Sequence, residues 1–193
     1  MNSDVEILER LRDGDEGAFV ALMDGYYKVL HRYGQHFTRD EALLTDCIQD
    51  VFVNVWQNRH KLGSIAYPRQ YLLTALKRRI IRVVGQGRKK IDTPGEALQE
   101  YTFSLEFSVE DLIVEKQLAE ANVLKLRQVL NQLPARQKEV IYLVYYQQLD
   151  PGQVAELMNI HRQSVYNLLS ESIRKIKDFW LESATVLTFS ILL

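Results

Sequence analysis

The sequence predicts an all-α fold of two small helical domains joined by a flexible acidic linker. Apolar residues recur at the spacing of amphipathic helices along most of the chain, and no segment alternates clearly enough to predict a β-sheet. Charge is also sorted, with a basic block followed by an acidic one. We predict a first domain at residues 1–90, the linker at 91–110, a second domain at 111–180 and an apolar tail at 181–193.

Composition indicates a globular protein and gives no sign of catalysis. The net charge is −1 and 47% of the 193 residues are hydrophobic. One cysteine, Cys47, excludes an internal disulfide, and the charged N-terminus lacks the apolar core of a signal peptide, so we expect a cytoplasmic protein. We expect no catalytic residue, metal or cofactor, because no carboxylates form a plausible acid-base pair and metal-ligand spacing is missing from the four histidines, His31, His36, His60 and His161.

Two helices are predicted at the N-terminus, over residues 3–12 and 16–37, with Asp13-Gly14-Asp15 between them. Large apolar residues recur at helical spacing in the second helix, which is typical of core packing. The predicted core residues are Phe19, Leu22, Met23, Tyr26, Tyr27, Leu30 and Tyr33.

A third helix, over residues 40–56, has two distinct faces. One face is apolar and predicted to be buried: Leu44, Cys47, Ile48, Val51 and Val55. The other face carries Asp46, Gln49, Asp50, Val53 and Trp56. A surface tryptophan flanked by carboxylates favours a protein-docking surface, with a solvated face as the alternative.

The basic block predicts a nucleic-acid surface on a fourth helix, over residues 68–84. Residues 67–91 contain eight basic side chains and no acid. Leu72, Leu76, Ile80 and Val83 form a buried stripe, and Gly85 and Gly87 are expected to end the helix. A second face carries Tyr71, Thr74, Arg78 and Arg82, which can bind phosphates and stack on an unpaired base. The alternative is an ordinary solvated face.

The acidic block predicts the linker. Residues 92–120 contain eight acids against Lys116 alone, and Thr93-Pro94-Gly95 marks a turn. A solvated tether and an occupant of a basic channel both remain open for this segment.

The second domain is predicted to be helical from about residue 111, with a new helix beginning at Pro134 and a helix-turn-helix over residues 150–177. Asn159, Ile160 and His161 form its turn. Its second helix is predicted to face inward through Val165, Leu168, Leu169, Ser172, Ile173 and Ile176. The opposite stripe can face base edges in a major groove: Gln163, Asn167, Ser170 and Arg174. A plain helical hairpin is the alternative.

The apolar tail at 181–193 is shorter than the roughly 20 residues that span a bilayer, so we expect no membrane insertion. We expect this tail to pack as a strand or helix on a domain or on a partner.

Taken in order, these elements resemble the sigma-70 family of RNA polymerase initiation factors, in its extracytoplasmic-function group. DCIQDVFVNVW (46–56) is similar to the conserved second region of domain 2. This resemblance implies core-polymerase binding through Asp46, Gln49, Asp50, Val53 and Trp56. YPRQYLLTALKRRIIR (67–82) is similar to the part that melts the minus-10 element and captures its bases. It implies DNA contacts by Tyr71, Thr74, Lys77, Arg78 and Arg82.

Residues 130–177 resemble domain 4 of the same family, whose helix-turn-helix reads the minus-35 element. The resemblance implies DNA contacts by Arg162, Gln163, Tyr166, Asn167, Ser170 and Arg174. In many members basic residues occupy slots that here hold Tyr166, Leu168, Ser170 and Glu171. This weak charge predicts feeble DNA binding by domain 4 alone.

The resemblance implies a sigma factor without catalytic activity. Its expected partners are core RNA polymerase, promoter DNA and an anti-sigma factor, and its linker would thread polymerase channels. Val165-Tyr166-Asn167-Leu168 resembles the branch common in Bacteroidetes. The alternative function is a stand-alone helix-turn-helix regulator with an N-terminal sensing or dimerisation domain. The low charge of the recognition helix argues against it, because such a regulator needs its own phosphate contacts.

Overall fold

The computed structural model describes residues 3–61, 65–87, 103–105 and 120–191, and over these ranges its regular secondary structure is helical without strands. The chain divides into two compact units, Met1–Thr102 and Phe103–Leu193. The predicted all-α class with two helical domains is therefore confirmed.

Four helices build the first unit: α1 (Ser3–Arg12), α2 (Glu16–Gly34), α3 (Glu41–Gln57) and α4 (Pro68–Gly87), with a 3-10 turn at Arg59–Lys61. Aspartates cap two of them. Asp15 accepts from the backbone N–H of Ala18 at 3.1 Å, and Asp40 accepts from that of Leu43 at 3.0 Å. Each cap satisfies a backbone donor that the first helical turn leaves open.

The core of the first unit lies where α2, α3 and α4 meet. Its most buried side chains come from all three helices and from α1: Leu11, Leu22, Leu30, Tyr33, Leu44, Ile48, Leu72, Leu73, Leu76 and Ile80. Gly34 marks the closest approach, since a Cβ there would lie 2.2 Å from Leu44 Cδ1. Cys47 is buried in the same core at 2% exposure, and burial raises the pKa of its thiol.

Two sequence predictions about the core and the helix ends of this unit are wrong, and a third, that Gly85 and Gly87 end the fourth helix, holds only for Gly87. Tyr27, predicted as core, is 39% exposed and stacks on His31 with ring centroids 6.0 Å apart. The second helix ends at Gly34 rather than residue 37. The fourth helix continues through Gly85 to Gly87, because a helix tolerates glycine at a cost of about 1 kcal/mol when neighbouring turns hold it.

The second unit contains α5 (Glu120–Gln132), α6 (Ala135–Ile141), a π-helical turn (Tyr142–Tyr146), α7 (Pro151–Met158) and α8 (Arg162–Ile191). The sequence predicted helix from residue 111, and residues 111–119 lie outside those that the structure describes. The α8 backbone continues into the predicted tail as far as Ile191. No helix in the described part of the chain has both the length and the apolarity that a membrane crossing requires.

The π-helical turn interrupts the helix that the sequence predicted to be continuous from Pro134. The backbone N–H of Gln147 donates to Tyr142 O at 3.1 Å, and that of Leu149 donates to Leu143 O at the same distance. Gln148 adopts a left-handed φ of 54°. These hydrogen bonds span five and six residues instead of the four of an α-helix. They end the helix and bring the chain to the start of α7.

Residues 103–105 pack onto the second unit instead of behaving as free tether. Phe103 and Leu105 are 2% and 4% exposed. The ring of Phe103 lies 6.2 Å from that of Tyr142, and Lys138 Nζ donates to Leu105 O at 3.1 Å. The rest of the predicted linker, residues 91–102 and 106–110, lies outside the described residues.

Candidate nucleic-acid interfaces

The outer face of α3 is open to solvent over most of the surface predicted for docking. Asp46, Gln49 and Asp50 are exposed, and Val53 is 49% exposed. These four side chains recur at helical spacing, so they share one stripe. An exposed valine among polar side chains supplies the apolar contact that a protein interface requires.

Trp56 lies at the edge of this stripe and is more enclosed than the sequence suggested. Its ring packs against Phe19 with centroids 5.1 Å apart. The Arg59 guanidinium covers it at 4.5 Å from the ring centroid, and Arg59 Nη1 donates to Trp56 O at 2.9 Å. Trp56 therefore joins α3 to α2 and to the 3-10 turn as well as bordering the exposed face.

An ion pair connects the α3 stripe to α4. Arg79 Nε donates to Asp50 Oδ2 at 2.9 Å, and Arg79 Nη2 bonds the same oxygen. Both side chains are partly exposed, so the pair contributes little stability, but it fixes the position of one arginine. The sequence placed Asp50 in a docking surface but did not indicate its ion pair with Arg79, because the two residues are 29 positions apart and lie on different helices.

A groove of about 480 Å³ runs between α3 and α4. The α4 wall contains the predicted face Tyr71, Thr74, Arg78 and Arg82, together with Ala75 and Arg79. The α3 wall contains Asp50, Val53, Asn54 and Gln57, with buried Val51 and Val55. The structure thus brings four of the five predicted minus-10 residues together in one concave site.

The groove offers cations, an aromatic ring and hydrogen-bonding groups. Arg78 and Arg82 are exposed and form no ion pair within the described residues. Burial raises the pKa of the Tyr71 phenol, so this group stays protonated at neutral pH and can donate a hydrogen bond. Thr74 Oγ1 donates to Gln70 O at 2.7 Å, so its hydroxyl is left mainly as an acceptor.

Lys77 does not belong to this surface, and its predicted DNA contact is wrong for this structure. Its side chain is 1% exposed, with Nζ 5.9 Å from the ring centroid of Phe37. The position lies between Leu73, Ile80 and Ile81 on the buried side of α4, where a phosphate cannot reach.

The helix-turn-helix of the second unit forms as predicted. Asp150 caps α7 in a capping box, accepting from the backbone N–H of Gly152 and of Gln153, while Gln153 Oε1 accepts from the Asp150 N–H. Asn159 ends α7 in the left-handed conformation, with φ 52°. The turn into α8 follows directly.

The predicted minus-35 residues share the outer face of α8 and are exposed, with Tyr166 at 41%. Two pairs form along this face. Gln163 Nε2 donates to Asn167 Oδ1 at 3.1 Å, and Arg162 Nη2 donates to Tyr166 OH at 3.3 Å. Hydrogen-bonding groups that suit base edges are thus already paired with one another.

The inner face of α8 is narrower than predicted. Val165 and Ser172 are fully buried, and Ser172 Oγ donates to Leu168 O at 2.7 Å. Ile173, predicted to face inward, is 38% exposed. A polar connection that the sequence did not indicate fastens α8 to α6: the buried Gln137 donates to Glu171 Oε2 at 2.9 Å and accepts from Lys175 Nζ at 3.2 Å.

The first unit carries a groove lined by arginines, and the second contains a helix-turn-helix, a motif typical of DNA-binding proteins. Residues 22–90 match the family model described as Sigma-70 region 2, and residues 124–176 match that described as Sigma-70, region 4. Together the two matches cover more than half of the chain. The chain therefore belongs to the sigma-70 family and carries both domains, in that order.

Within the described residues, no group of His, Cys, Asp and Glu is arranged to hold a metal ion.

Solved structures share this fold at low sequence identity. The structure of CnrH in complex with the cytosolic domain of CnrY aligns with a TM-score of 0.58 and 16% identity, covering 94% of this chain and 99% of that one. The sigma factor RpoE, solved with the anti-sigma factor NepR from Bartonella quintana, aligns with a TM-score of 0.52 and 16% identity, covering 84% and 96%. No curated protein matches the sequence significantly.

Proposed function

We propose that this protein is a cytoplasmic sigma factor of the extracytoplasmic-function group, which binds core RNA polymerase and directs promoter-specific transcription initiation. The observation that carries the proposal is one chain with a region 2 domain and a region 4 domain, each with an exposed binding face. The chemistry of initiation belongs to the polymerase, and this protein contributes promoter choice and strand opening.

Polymerase binding is assigned to the α3 stripe. Asp46, Gln49, Asp50 and Val53 are exposed together, and Trp56 borders them. The mixture of carboxylates, one amide and one apolar side chain suits a partner surface that carries basic and apolar residues. Trp56 packs against Phe19 of α2, and this contact holds the end of the stripe in place.

Promoter contacts are divided between the two units. The groove face of α4 takes the opened minus-10 strand, since Arg78 and Arg82 supply phosphate contacts and Tyr71 supplies an aromatic ring. The outer face of α8 reads the minus-35 duplex through Arg162, Gln163, Tyr166, Asn167, Ser170 and Arg174. Such divided binding fits a recognition helix that carries few cations.

Control by an anti-sigma factor is part of the proposal. Two proteins of the same fold have been solved in complexes, CnrH with the cytosolic domain of CnrY and RpoE with the anti-sigma factor NepR. The kinship with the Bacteroidetes branch suggested by Val165-Tyr166-Asn167-Leu168 stays a prediction. The apolar tail is a candidate contact for such a regulator.

Reconstitution with core polymerase from the native host tests the proposal. We expect the protein to co-purify with core polymerase and to support run-off transcription from its promoters. Val53→Arg is expected to reduce polymerase affinity at least tenfold. Val20→Arg is the matched control, because Val20 is an equally exposed valine of the same unit at 55% exposure and lies outside the stripe.

Two results would contradict the proposal. One is that the protein neither associates with core polymerase nor supports transcription initiation from a promoter. The other is tight binding of a palindromic duplex by the protein alone, which is the property of a stand-alone regulator.

A further inference from the structure

A short segment between the two family regions is built into the second unit. Phe103 and Leu105 are 2% and 4% exposed, although both precede the residues matched as region 4, which begin at 124. The Phe103 ring lies 6.2 Å from that of Tyr142, at an interplanar angle of 55°. Lys138 Nζ donates to the backbone oxygen of Leu105 at 3.1 Å. We call residues 103–105 the anchor.

The anchor contacts a side chain that the second unit holds in place. Tyr142 is 3% exposed, its hydroxyl accepts from Gln147 Nε2 at 2.9 Å, and its ring stacks on that of Tyr146 with centroids 5.7 Å apart. Burial of two large apolar side chains favours the docked state of the anchor over a solvated one. The anchor therefore moves with the second unit.

The anchor shortens the part of the chain that can separate the two units. Residues 88–102 join the end of α4 to the anchor, whereas residues 88–119 join the end of α4 to the start of α5. A chain extends by at most about 3.3–3.6 Å per residue, whatever its conformation. The first connection therefore spans at most about 55 Å, and the second at most about 115 Å. Docking of the anchor removes about half of the available reach.

The shorter connection is close to the length that the proposed promoter contacts require. Elements centred at minus 10 and minus 35 are about 25 base pairs apart, which is about 85 Å along B-DNA. The helix from Arg78 to the end of α4 adds about 14 Å, and a domain of the size of the second unit is about 30 Å across. With the anchor docked, the chain then reaches at most about 100 Å, which exceeds the promoter distance by about 15 Å. With the anchor released, the excess is about 75 Å.

We propose that the anchor sets the longest promoter spacer that this protein can serve, by restricting the connection between its two DNA-binding faces to residues 88–102. Each base pair added to the spacer lengthens it by about 3.4 Å, so the margin is used up after about four base pairs. A detour of the connection through a polymerase channel narrows the margin further. Phe103 and Leu105 are thus specificity-determining residues, although neither reads a base. This inference deepens the proposed function and rests on it, because it concerns the spacing of the two promoter elements.

A matched pair of deletions tests the anchor in the reconstituted holoenzyme. One deletion removes residues 96–99 (EALQ), ahead of the anchor, and the other removes residues 107–110 (FSVE), behind it, so each variant loses four residues and one glutamate. Run-off transcription is measured on promoters whose spacers differ in single base-pair steps. Each promoter is compared across the variants, so the helical phase that changes with every base pair is common to all of them.

The two deletions should differ. We expect the deletion ahead of the anchor to shorten the longest spacer that supports initiation by about four base pairs, because it removes about 14 Å of reach. The deletion behind the anchor should leave the wild-type profile unchanged. Equal profiles for the two deletions would overturn the inference, since the whole connection would then act as one length.

Release of the anchor should erase this difference. Phe103→Ala combined with Leu105→Ala removes the apolar contacts, so the residues behind the anchor become available to the connection. We expect the double substitution to restore long-spacer initiation to the deletion of residues 96–99. Melting curves check that the combined variant folds. A folded variant without this rescue would contradict the proposal.

A pair of insertions tests the same point without changing a buried residue. Gly-Ser-Gly-Ser inserted after Gly95 should lengthen the longest tolerated spacer by about four base pairs, whereas the same insertion after Ser108 should not. This pair decides the matter if the double substitution prevents folding, and equal effects of the two insertions would overturn the inference. A wild-type protein that initiates at no spacer would overturn the sigma-factor proposal and this inference with it, so the two failures are distinguishable.

Discussion

α4 and α8, the two helices proposed to face DNA, are held in their units in opposite ways. α4 is buried along a broad stripe, with Leu72, Leu73, Leu76, Lys77, Ile80 and Ile81 each at most 9% exposed. On α8 only Val165 and Ser172 are buried to that extent among the described side chains, and Gln137 adds hydrogen bonds to Glu171 and Lys175. The helix that we propose takes the opened strand is thus embedded, whereas the helix that we propose reads the minus-35 duplex lies on the surface of its unit.

The chemistry of the two faces differs in the same direction. Arg78 and Arg82 of α4 form no ion pair within the described residues, so their charge is available to phosphates. On α8, Gln163 is bonded to Asn167 and Arg162 to Tyr166. These α8 groups must exchange one partner for another on DNA. Under the proposed function, charge supports DNA affinity in the first unit, and hydrogen-bond exchange supports base selectivity in the second.

Breaking the core behind α4 should have the largest effect. Gly34→Ala places a Cβ 2.2 Å from Leu44 Cδ1 and 3.4 Å from Ile80 Cδ1, and Leu44 is fully buried, so it has little room to move. We expect a loss of about 1–3 kcal/mol in the free energy of unfolding, measured by urea denaturation.

Gly25→Ala is the control for this substitution. It lies in the same helix with nothing within 4 Å of a Cβ, so alanine there should leave stability unchanged or raise it by up to about 1 kcal/mol. Equal losses for the two variants would show that backbone conformation, and not the close approach to Leu44, decides the outcome.

The corresponding weak point of the second unit is the start of the helix-turn-helix. Asp150→Ala removes the acceptor for the N–H groups of Gly152 and Gln153, and we expect a loss of about 1 kcal/mol. Asp150→Asn retains a side-chain oxygen and should cost much less. Thermal unfolding of the full chain measures both variants, and an equal loss would argue against the cap as the cause.

The salt dependence of DNA affinity tests the difference between the charged face of α4 and the hydrogen-bonding face of α8. We expect Arg82→Ala to reduce the slope of log affinity against log salt by roughly 0.7 for each single-strand phosphate that Arg82 neutralises, for holoenzyme on promoter DNA. Gln163→Ala should change base preference in the minus-35 element and leave the slope nearly unchanged. Similar slope changes in the two variants would remove the distinction between the helices.

The smallest expected effect concerns acid stability of the first unit. The hydrogen bond from Arg10, at 2.9 Å from Nε, lowers the pKa of Asp15 below its ordinary value. A lowered folded-state pKa contributes stability above the unfolded-state pKa, and this contribution is lost as pH falls through the lowered value. We expect Asp15→Asn to flatten the decline in unfolding free energy below about pH 4, as measured by urea titrations at fixed salt. An unchanged pH profile would exclude this carboxylate as a contributor.

Periodicity predicted the elements that depend on local pattern alone. The bounds of α1, the buried stripe of α3 and the turn at Asn159 all follow from apolar spacing or capping residues. The shared face of Tyr71, Thr74, Arg78 and Arg82 was also predictable, since it needs only the helical repeat. The roles of these residues are still proposals.

Contacts between distant segments could not be predicted. Lys77 is buried because Phe37 and the α4 core enclose it, and Trp56 is covered because Phe19 and Arg59 meet over its ring. Asn54 and Gln57 follow Asp50 at helical spacing, so their common stripe was visible in the sequence. Their place in a groove was not, because the opposite wall is another helix.

The buried position of Cys47 gives the wild-type protein its own chemical reporter. The thiol is 2% exposed, its pKa is raised by burial, and it is the single cysteine of the chain. An alkylating reagent can reach it only when the first unit opens, because the reactive species is the exposed thiolate. The labelling rate therefore follows the opening of the first unit alone, whatever the state of the helix-turn-helix.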